Sequence, residues 1–467
     1  MAQQATLTHA RAYPRLGSPP IVWGLVAVLA AIAVSVRFSA MFGTVACALA
    51  AIHALRGSRQ TVEAMGVLAF ILLLGAPGAS LFRWVVLAAA FGRAIWDSIA
   101  QSAGSPRFIR PLALFGLVIL VITPISSIFP IVSIFKAVSF VVGVGTIFTA
   151  LHRSAHLREY WFSWFFTLGA FILIASLPLY FTGAGYTRNA SGFQGILSHP
   201  QTYGPVLAPI TAMMTSLYLF HYRKTGLIMA CVLLGLLGMY ISHARTSLLA
   251  TILGFGLVMM IGYLWRGDWR AGVSRAFAQG EMMVAIFLVL ILSVAQWSTV
   301  QESVLGFLYK DDDPQSVTNI LEGSRGYLMA RSMNNFHSQP LTGIGFGVPS
   351  DADRFDRRIQ TGAFGLPTGA SVEKGFMPTA VLEETGIVGA ILVIVLLLAL
   401  FAPIVRRGDI MLFWIAATCV LINFGEMVFF SLGGMGMYFW FVMALCYVLA
   451  TTAPQVIEYQ IETAAVE

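Results

Sequence analysis

Apolar runs of about 17–25 residues recur along this chain, and each is long enough to carry an α-helix across a bilayer. In lipid every backbone N–H and C=O must be satisfied within the protein, so runs this long and this apolar are helices and not barrel strands. Candidate spans lie near 20–37, 38–55, 62–78, 80–96, 111–130, 131–151, 160–182, 201–220, 226–243, 246–264, 280–296, 378–402, 410–428 and 435–452. A mean hydropathy of +0.81 with 10% charged residues excludes an ordinary soluble domain. The expected fold is an all-α polytopic membrane protein of about 12–14 transmembrane helices, the count being open because the first four spans are tightly joined.

The connections supply an orientation. Alternate loops are basic: Arg56 and Arg59, then Arg107 and Arg110, Arg153 and Arg158, Arg223 and Lys224, Arg266, Arg270 and Arg275, and finally Arg406 and Arg407. The positive-inside rule makes these cytoplasmic, with both termini on the same side. The net charge of +7 is spread through these loops, with no basic face or aromatic platform, so nucleic acid is not an expected partner. Residues 1–19 carry Arg11 and Arg15 and no acid, and the apolar segment after them reads as a first anchor and not a cleaved signal. Cys47, Cys231, Cys419 and Cys446 all fall inside apolar runs without metal or redox spacing, and read as small core residues.

One stretch breaks the pattern. Residues 297–377 form a polar loop with nine acidic and seven basic residues. The expected organisation is a cytoplasmic tail at 1–19, a membrane domain of about 11 helices at 20–296, a large periplasmic loop at 297–377, three last helices at 378–452 and a cytoplasmic tail at 453–467. Inside the loop, Ser324 to Phe336 has the pattern of a helix, and Asp311–Pro314 and Pro340–Gly347 read as turns. Gly343-Ile-Gly-Phe-Gly347 has neither the strand–helix frame nor the Gly-Lys-Ser/Thr of a nucleotide loop.

Charged residues at the ends of membrane spans are costly and therefore candidates for function. Arg245 lies on the outer face, where topology gives no reason for a cation; it either snorkels or binds an anion. Arg325 stands at the start of the expected loop helix, and His337 near its end. His199 precedes Pro200 at the entry to a span, as a helix cap or a proton acceptor. Glu373 and Lys374 stand just before the chain re-enters the membrane, with Glu383 and Glu384 about three turns later. Glu426 lies late in an apolar span, near the same face. Arginine and lysine suit a phosphate or diphosphate, and a carboxylate or histidine can take a proton from a hydroxyl. The set suits a lipid diphosphate reacting outside the cytoplasm, although the same charges would also serve a transporter. Against transport, the middles of the spans are almost free of charge, whereas a transporter places its site near the bilayer midplane.

Four segments in order resemble the bacterial O-antigen ligase and Wzy-type polymerase superfamily. They are Gly192-Phe193 through His199-Pro-Gln-Thr-Tyr-Gly204; Ser242-His-Ala-Arg245-Thr-Ser-Leu-Leu; Gly323-Ser-Arg325 followed by Pro340-Leu-Thr-Gly-Ile-Gly-Phe-Gly347; and Leu382-Glu-Glu-Thr-Gly-Ile-Val-Gly389. The resemblance covers roughly residues 185–430. In one place the chain departs from it: the His-Asn pair common before the post-loop helix is replaced by Glu373-Lys374.

The resemblance implies a GT-C-like, metal-independent and inverting glycosyltransferase with no cofactor, in the bacterial inner membrane with its site facing the periplasm. The implied donor is a glycan on undecaprenyl diphosphate and the implied acceptor another lipid-linked repeat unit, with membrane lipids around it and a chain-length regulator as a partner. Glu373, Arg325 and Arg245 would be catalytic, and Lys374, His199, Glu384 and Glu426 would bind substrate. Without the usual histidine, polymerisation of exopolysaccharide or O-antigen is implied ahead of ligation to lipid A core. A lipid-linked glycan transporter is the alternative from another class.

Overall fold

The structure is a computed structural model that describes residues 19–38, 40–76, 79–101, 104–186, 192–220, 226–264, 274, 327–351, 360–361, 367–369 and 374–452. Its elements are almost all helical, as the apolar runs require. The first ten helices are α1 (Pro19–Phe38), α2 (Ala40–Ala54), α3 (Ser58–Leu73), α4 (Ala79–Gln101), α5 (Ile109–Ser126), α6 (Pro130–Arg153), α7 (Arg158–Ser176), α8 (Pro200–Leu219), α9 (Gly226–Ile241) and α10 (Arg245–Leu264). The loop contributes α11 (Tyr327–Ser338) and a minimal antiparallel pair, β1 (Gln360–Thr361) with β2 (Pro367–Gly369). Helices α12 (Met377–Arg407), α13 (Ile410–Ile422) and α14 (Gly434–Thr451) complete the described chain. Among the described residues, six helical segments are by themselves long and apolar enough to cross a membrane, so this is an all-α polytopic membrane protein. The expected span at 280–296 and the turn at 311–314 lie outside the described residues.

Helices α8, α13 and α14 are buried nearly all round and form the centre of the bundle. A helix apolar on every side belongs in such a place. The outer helices present Val121, Leu233, Leu249, Ile391 and Leu398 to the outside, as a lipid-facing surface should. Helix α8 tolerates Pro205 and Pro209 because packed neighbours restrain it on every side. Close approach needs small residues: a Cβ on Gly169 of α7 would lie 2.7 Å from Ile210 of α8.

Helices α7 and α13 each end about six residues before the expected spans do. Helix α7 stops at Ser176 because Pro178 opens a 3-10 turn over Leu177–Phe181. Helix α13 stops at Ile422 although the run continues. Asn423 turns the chain there: its Nδ2 donates to the Cys419 carbonyl at 2.8 Å, and its Oδ1 accepts from the Val428 N–H at 2.9 Å. Thirteen residues of helix rise about 20 Å, short of the hydrocarbon thickness, so the backbone that follows needs such partners.

Among the described residues, the basic residues of the short loops collect at one end of the bundle, the end that holds Arg56, Arg59, Arg153 and Arg407. The other end is formed by the starts of α4, α6, α8, α10, α12 and α14, together with α11 and the loop after it.

Candidate functional site

The site grows from a break in α12. The chain enters this helix in extended conformation at Phe376, with Pro378 in its first turn. At Gly386 the backbone leaves helical geometry (φ 63°, ψ −167°) and then resumes it. A helix broken at membrane depth releases N–H and C=O groups that lipid cannot satisfy. The loop segment 340–345 satisfies them. The Glu383 carbonyl accepts from the Ile344 N–H at 2.8 Å and the Glu384 carbonyl from the Gly345 N–H at 3.3 Å. The N–H groups of Ile387 and Val388 donate to the carbonyls of Pro340 and Leu341 at 2.9 and 3.4 Å. Glycine is needed at Gly386 on two counts, the positive φ and a Cβ that would fall on the Leu341 carbonyl.

The glycine string 343–347 is therefore a fitting piece. Gly343, Gly345 and Gly347 all have positive φ (66°, 119° and 67°). Between them Phe346, 1% exposed, inserts among Phe115, Phe140 and Phe430, with ring centroids 6.0, 5.9 and 4.7 Å away. The Ser133 hydroxyl donates to the Phe346 carbonyl at 2.8 Å, which ties the loop to α6.

The side chains around the break form a charge-balanced network. Lys374 Nζ lies 2.9 Å from Glu383 Oε2 and 3.3 Å from Glu384 Oε1. Glu383 is 0% exposed and accepts three further hydrogen bonds, from Ser332 Oγ (2.7 Å), Asn335 Nδ2 (2.7 Å) and Ser350 Oγ (3.0 Å). Glu384 Oε2 accepts from the Gly347 N–H at 2.7 Å. Lys136 Nζ donates to the Gly347 carbonyl at 2.5 Å. Two carboxylates and two ammonium groups thus lie together, each with hydrogen-bond partners, and buried charge is tolerated on those terms. Arg331 braces the outer rim through the Ser350 carbonyl (3.0 Å) and Asp351 (3.0 Å).

Arg245 approaches the same entry from the other side. A tight turn with His243 at φ 53° delivers it as the first residue of α10. Ser242 Oγ accepts from the Ala244 N–H at 3.3 Å, and the turn packs against Gly192 and Gly204. Thr246 packs on Gly425, in the turn that carries Glu426. That turn also holds the start of α12, because the Met377 N–H donates to the Asn423 carbonyl at 3.0 Å. Phe376 and Phe424 meet edge to face at 5.5 Å. The starts of α10 and α12 thus both meet the turn at Asn423–Gly425, through Thr246 and Met377.

The other expected site residues divide. His199 caps α8: its Nδ1 accepts from the Gln201 N–H at 3.1 Å. Lys374 and Glu384, each 4% exposed, face inward and hold each other and the loop. His337 is exposed near the end of α11, its ring beside Phe336. Glu373 and Arg325 lie outside the described residues.

Sequence reasoning passed over Lys136 and Arg83, two cations at the end of the bundle opposite the basic loops. Arg83 lies over the Trp84 ring at 4.7 Å. Their signal was present, because the positive-inside rule accounts for neither. It also passed over Ser332 and Asn335, whose three-residue spacing puts them on one face of α11.

Fold and site together define a polytopic membrane protein with a polar, charge-balanced centre at one end of its bundle. A family model described as O-antigen ligase matches residues 230–370, a stretch that begins in α9 and includes Arg245, α11 and the glycine string. The superfamily resemblance is thereby shown over that stretch, and it supports a membrane enzyme that ligates or polymerises glycans. Lys374, Glu384, Glu426 and His199 lie outside the matched residues. No curated protein matches the chain.

Proposed function

We propose that the protein is an inner-membrane glycosyltransferase that polymerises oligosaccharide repeat units carried on undecaprenyl diphosphate, with its site facing the periplasm. The observation that carries this reading is the family match across Arg245 and the glycine string, the segment that closes the broken entry of α12. The basic loops at the opposite end of the bundle support the orientation.

In this reading Arg245 faces the diphosphate and stabilises the charge that grows as it leaves. Arg325 acts with it, and Glu373 orients or deprotonates the acceptor hydroxyl. Glu426 lines the acceptor side of the Asn423–Gly425 turn. Lys374 and Glu384 serve by position: their charged groups are spent on Glu383, on Gly347 and on each other. His199 serves as the cap that fixes the start of α8 beside the Arg245 turn. A diphosphate is already a good leaving group, so positioning and electrostatic stabilisation suffice without a metal; inversion at the anomeric carbon is what the family resemblance implies. Polymer formation then survives EDTA; loss on chelation with recovery on adding a divalent ion would contradict this.

Ligation to lipid A core is the second reading, favoured by the description of the matching family. Deleting the gene and resolving cell-surface and lipid-linked glycans on gels separates the two. Single repeat units without long polymer mean a polymerase. Full-length polymer retained on its lipid carrier means a ligase, and an unchanged profile overturns both.

A further inference from the structure

We propose that Lys136 is a positioning residue for glycan transfer, holding the glycine loop in register with the broken start of α12; the proposal rests on the polymerase reading above. Lys136 lies about two turns inside α6, in a stretch that is otherwise uncharged as far as the helix's last turn. Nothing in the topology requires a cation there. Its stem lies along Gly347, where an added Cβ would fall on Lys136 Cδ. Its Nζ donates to the Gly347 carbonyl at 2.5 Å, while the Gly347 N–H donates to Glu384 Oε2 at 2.7 Å. Both backbone polar groups of one loop residue are therefore gripped by oppositely charged side chains, from two different membrane helices.

The grip is transmitted. The other oxygen of Glu384 meets Lys374 at 3.3 Å, and Lys374 stands at the entry to α12 that the Asn423 turn ties to the Arg245 side. Ser133, one helical turn before Lys136, holds the adjacent Phe346 carbonyl at 2.8 Å. Helix α6 thus presents two donors to consecutive carbonyls of the glycine string. One of the three ammonium donors is committed to the Gly347 carbonyl and the stem is packed on the same residue, so the geometry points to placement of the loop. Reaction geometry is sensitive to such placement, since a shift of about 1 Å can cost about 100-fold in rate.

The test complements a deletion strain with the full-length gene carrying Lys136→Met, Lys136→Arg or Ser133→Ala, reading polymer per membrane-embedded protein. In parallel, the purified variants in lipid nanodiscs are titrated with undecaprenyl diphosphate. Lys136→Met is expected to lose about 10-fold or more of polymer formation while its affinity for undecaprenyl diphosphate stays within about 3-fold of wild type. Lys136→Arg, which keeps charge and donor, is expected to recover part of the loss, and Ser133→Ala to lose a few-fold. Wild-type polymer from Lys136→Met would overturn the proposal, as would a parallel loss of affinity, which would make Lys136 a ligand contact. Where Lys136→Met fails to accumulate, Lys136→Arg and Ser133→Ala decide: both indistinguishable from wild type overturns the role, and graded loss supports it. A wild-type gene that restores no polymer sinks the polymerase reading and this role with it. A working wild type beside an equally active Lys136→Met sinks this role alone.

Discussion

The two ends of the bundle use paired charge differently. At the basic end, Asp97, 1% exposed, is held by Arg93 (2.6 Å) and the Ser58 hydroxyl (2.6 Å), with Arg153 at 4.0 Å. Glu63 is held by Arg59 (2.8 Å), His53 (2.7 Å) and the Tyr160 hydroxyl (2.5 Å). Every one of these partners is a side chain on a helix, and together they fasten α2, α3, α4, α6 and α7. At the opposite end, Glu384 and Lys136 grip a loop backbone, and Glu383 gathers α11 and Ser350 around a break in α12. The first arrangement fixes which helices are neighbours. The second holds irregular backbone at membrane depth, which is tolerated where it is buried in protein or lines a cavity. Function is expected where the irregular backbone is, and stability where helices are merely fastened.

That contrast can be broken by substitution. Arg245→Ala should have the largest effect, at least about 100-fold less polymer per membrane-embedded protein, as for loss of a donor to a developing negative charge. Its abundance in the membrane should be unchanged. Gly386→Ala should come next. A non-glycine residue at that φ costs about 1–3 kcal/mol, and the clash with Leu341 adds to it, so yield and melting temperature should both fall. Gly92→Ala in α4, where an added Cβ meets nothing within 4 Å, is the matched control and should be neutral or slightly stabilising.

Asp97→Asn should sharpen the contrast from the other end. It leaves the Arg93 and Arg153 cations without their carboxylate, at about 1–3 kcal/mol, and should lower the melting temperature. Polymer per folded protein should stay within about 2-fold of wild type. The smallest effect should come from Arg59→Ala. Its exposed pair with Glu63, one helical turn away, is worth less than about 1 kcal/mol, within the error of most melting measurements.

Much of the fold was legible because hydropathy and length alone determine spanning helices. The break in α12 was not. The span at 378–402 reads as one helix, and although Gly386 stands inside the Leu382–Gly389 segment, nothing in that segment marks a break. What makes the break tolerable is the chain at 340–345, and no pattern within the run reveals that partner. The glycine string was visible, but its purpose was not, because it depends on Glu383, Glu384 and α6. The cluster at Glu373–Lys374 and Glu383–Glu384 was legible as a costly group at a bilayer edge. The direction in which Lys374 faces was not, since it follows from the burial of both carboxylates. Lys136 was missed for a related reason: it meets Gly347 across 211 residues of sequence, and in its own run it is a lone cation among apolar neighbours. His199 left a cap and a base open; its Nδ1 accepts from the Gln201 N–H, a capping contact that does not bear on the second reading.

The most direct test of the central claim compares the two ends within one strain. A deletion strain carrying either Arg245→Ala or Asp97→Asn, matched for membrane abundance, would be analysed for lipid-linked and surface glycans on gels. Only single repeat units from Arg245→Ala, beside long polymer from Asp97→Asn, is the predicted result. Polymer of normal length from Arg245→Ala would contradict the placement of the reaction at the broken entry of α12.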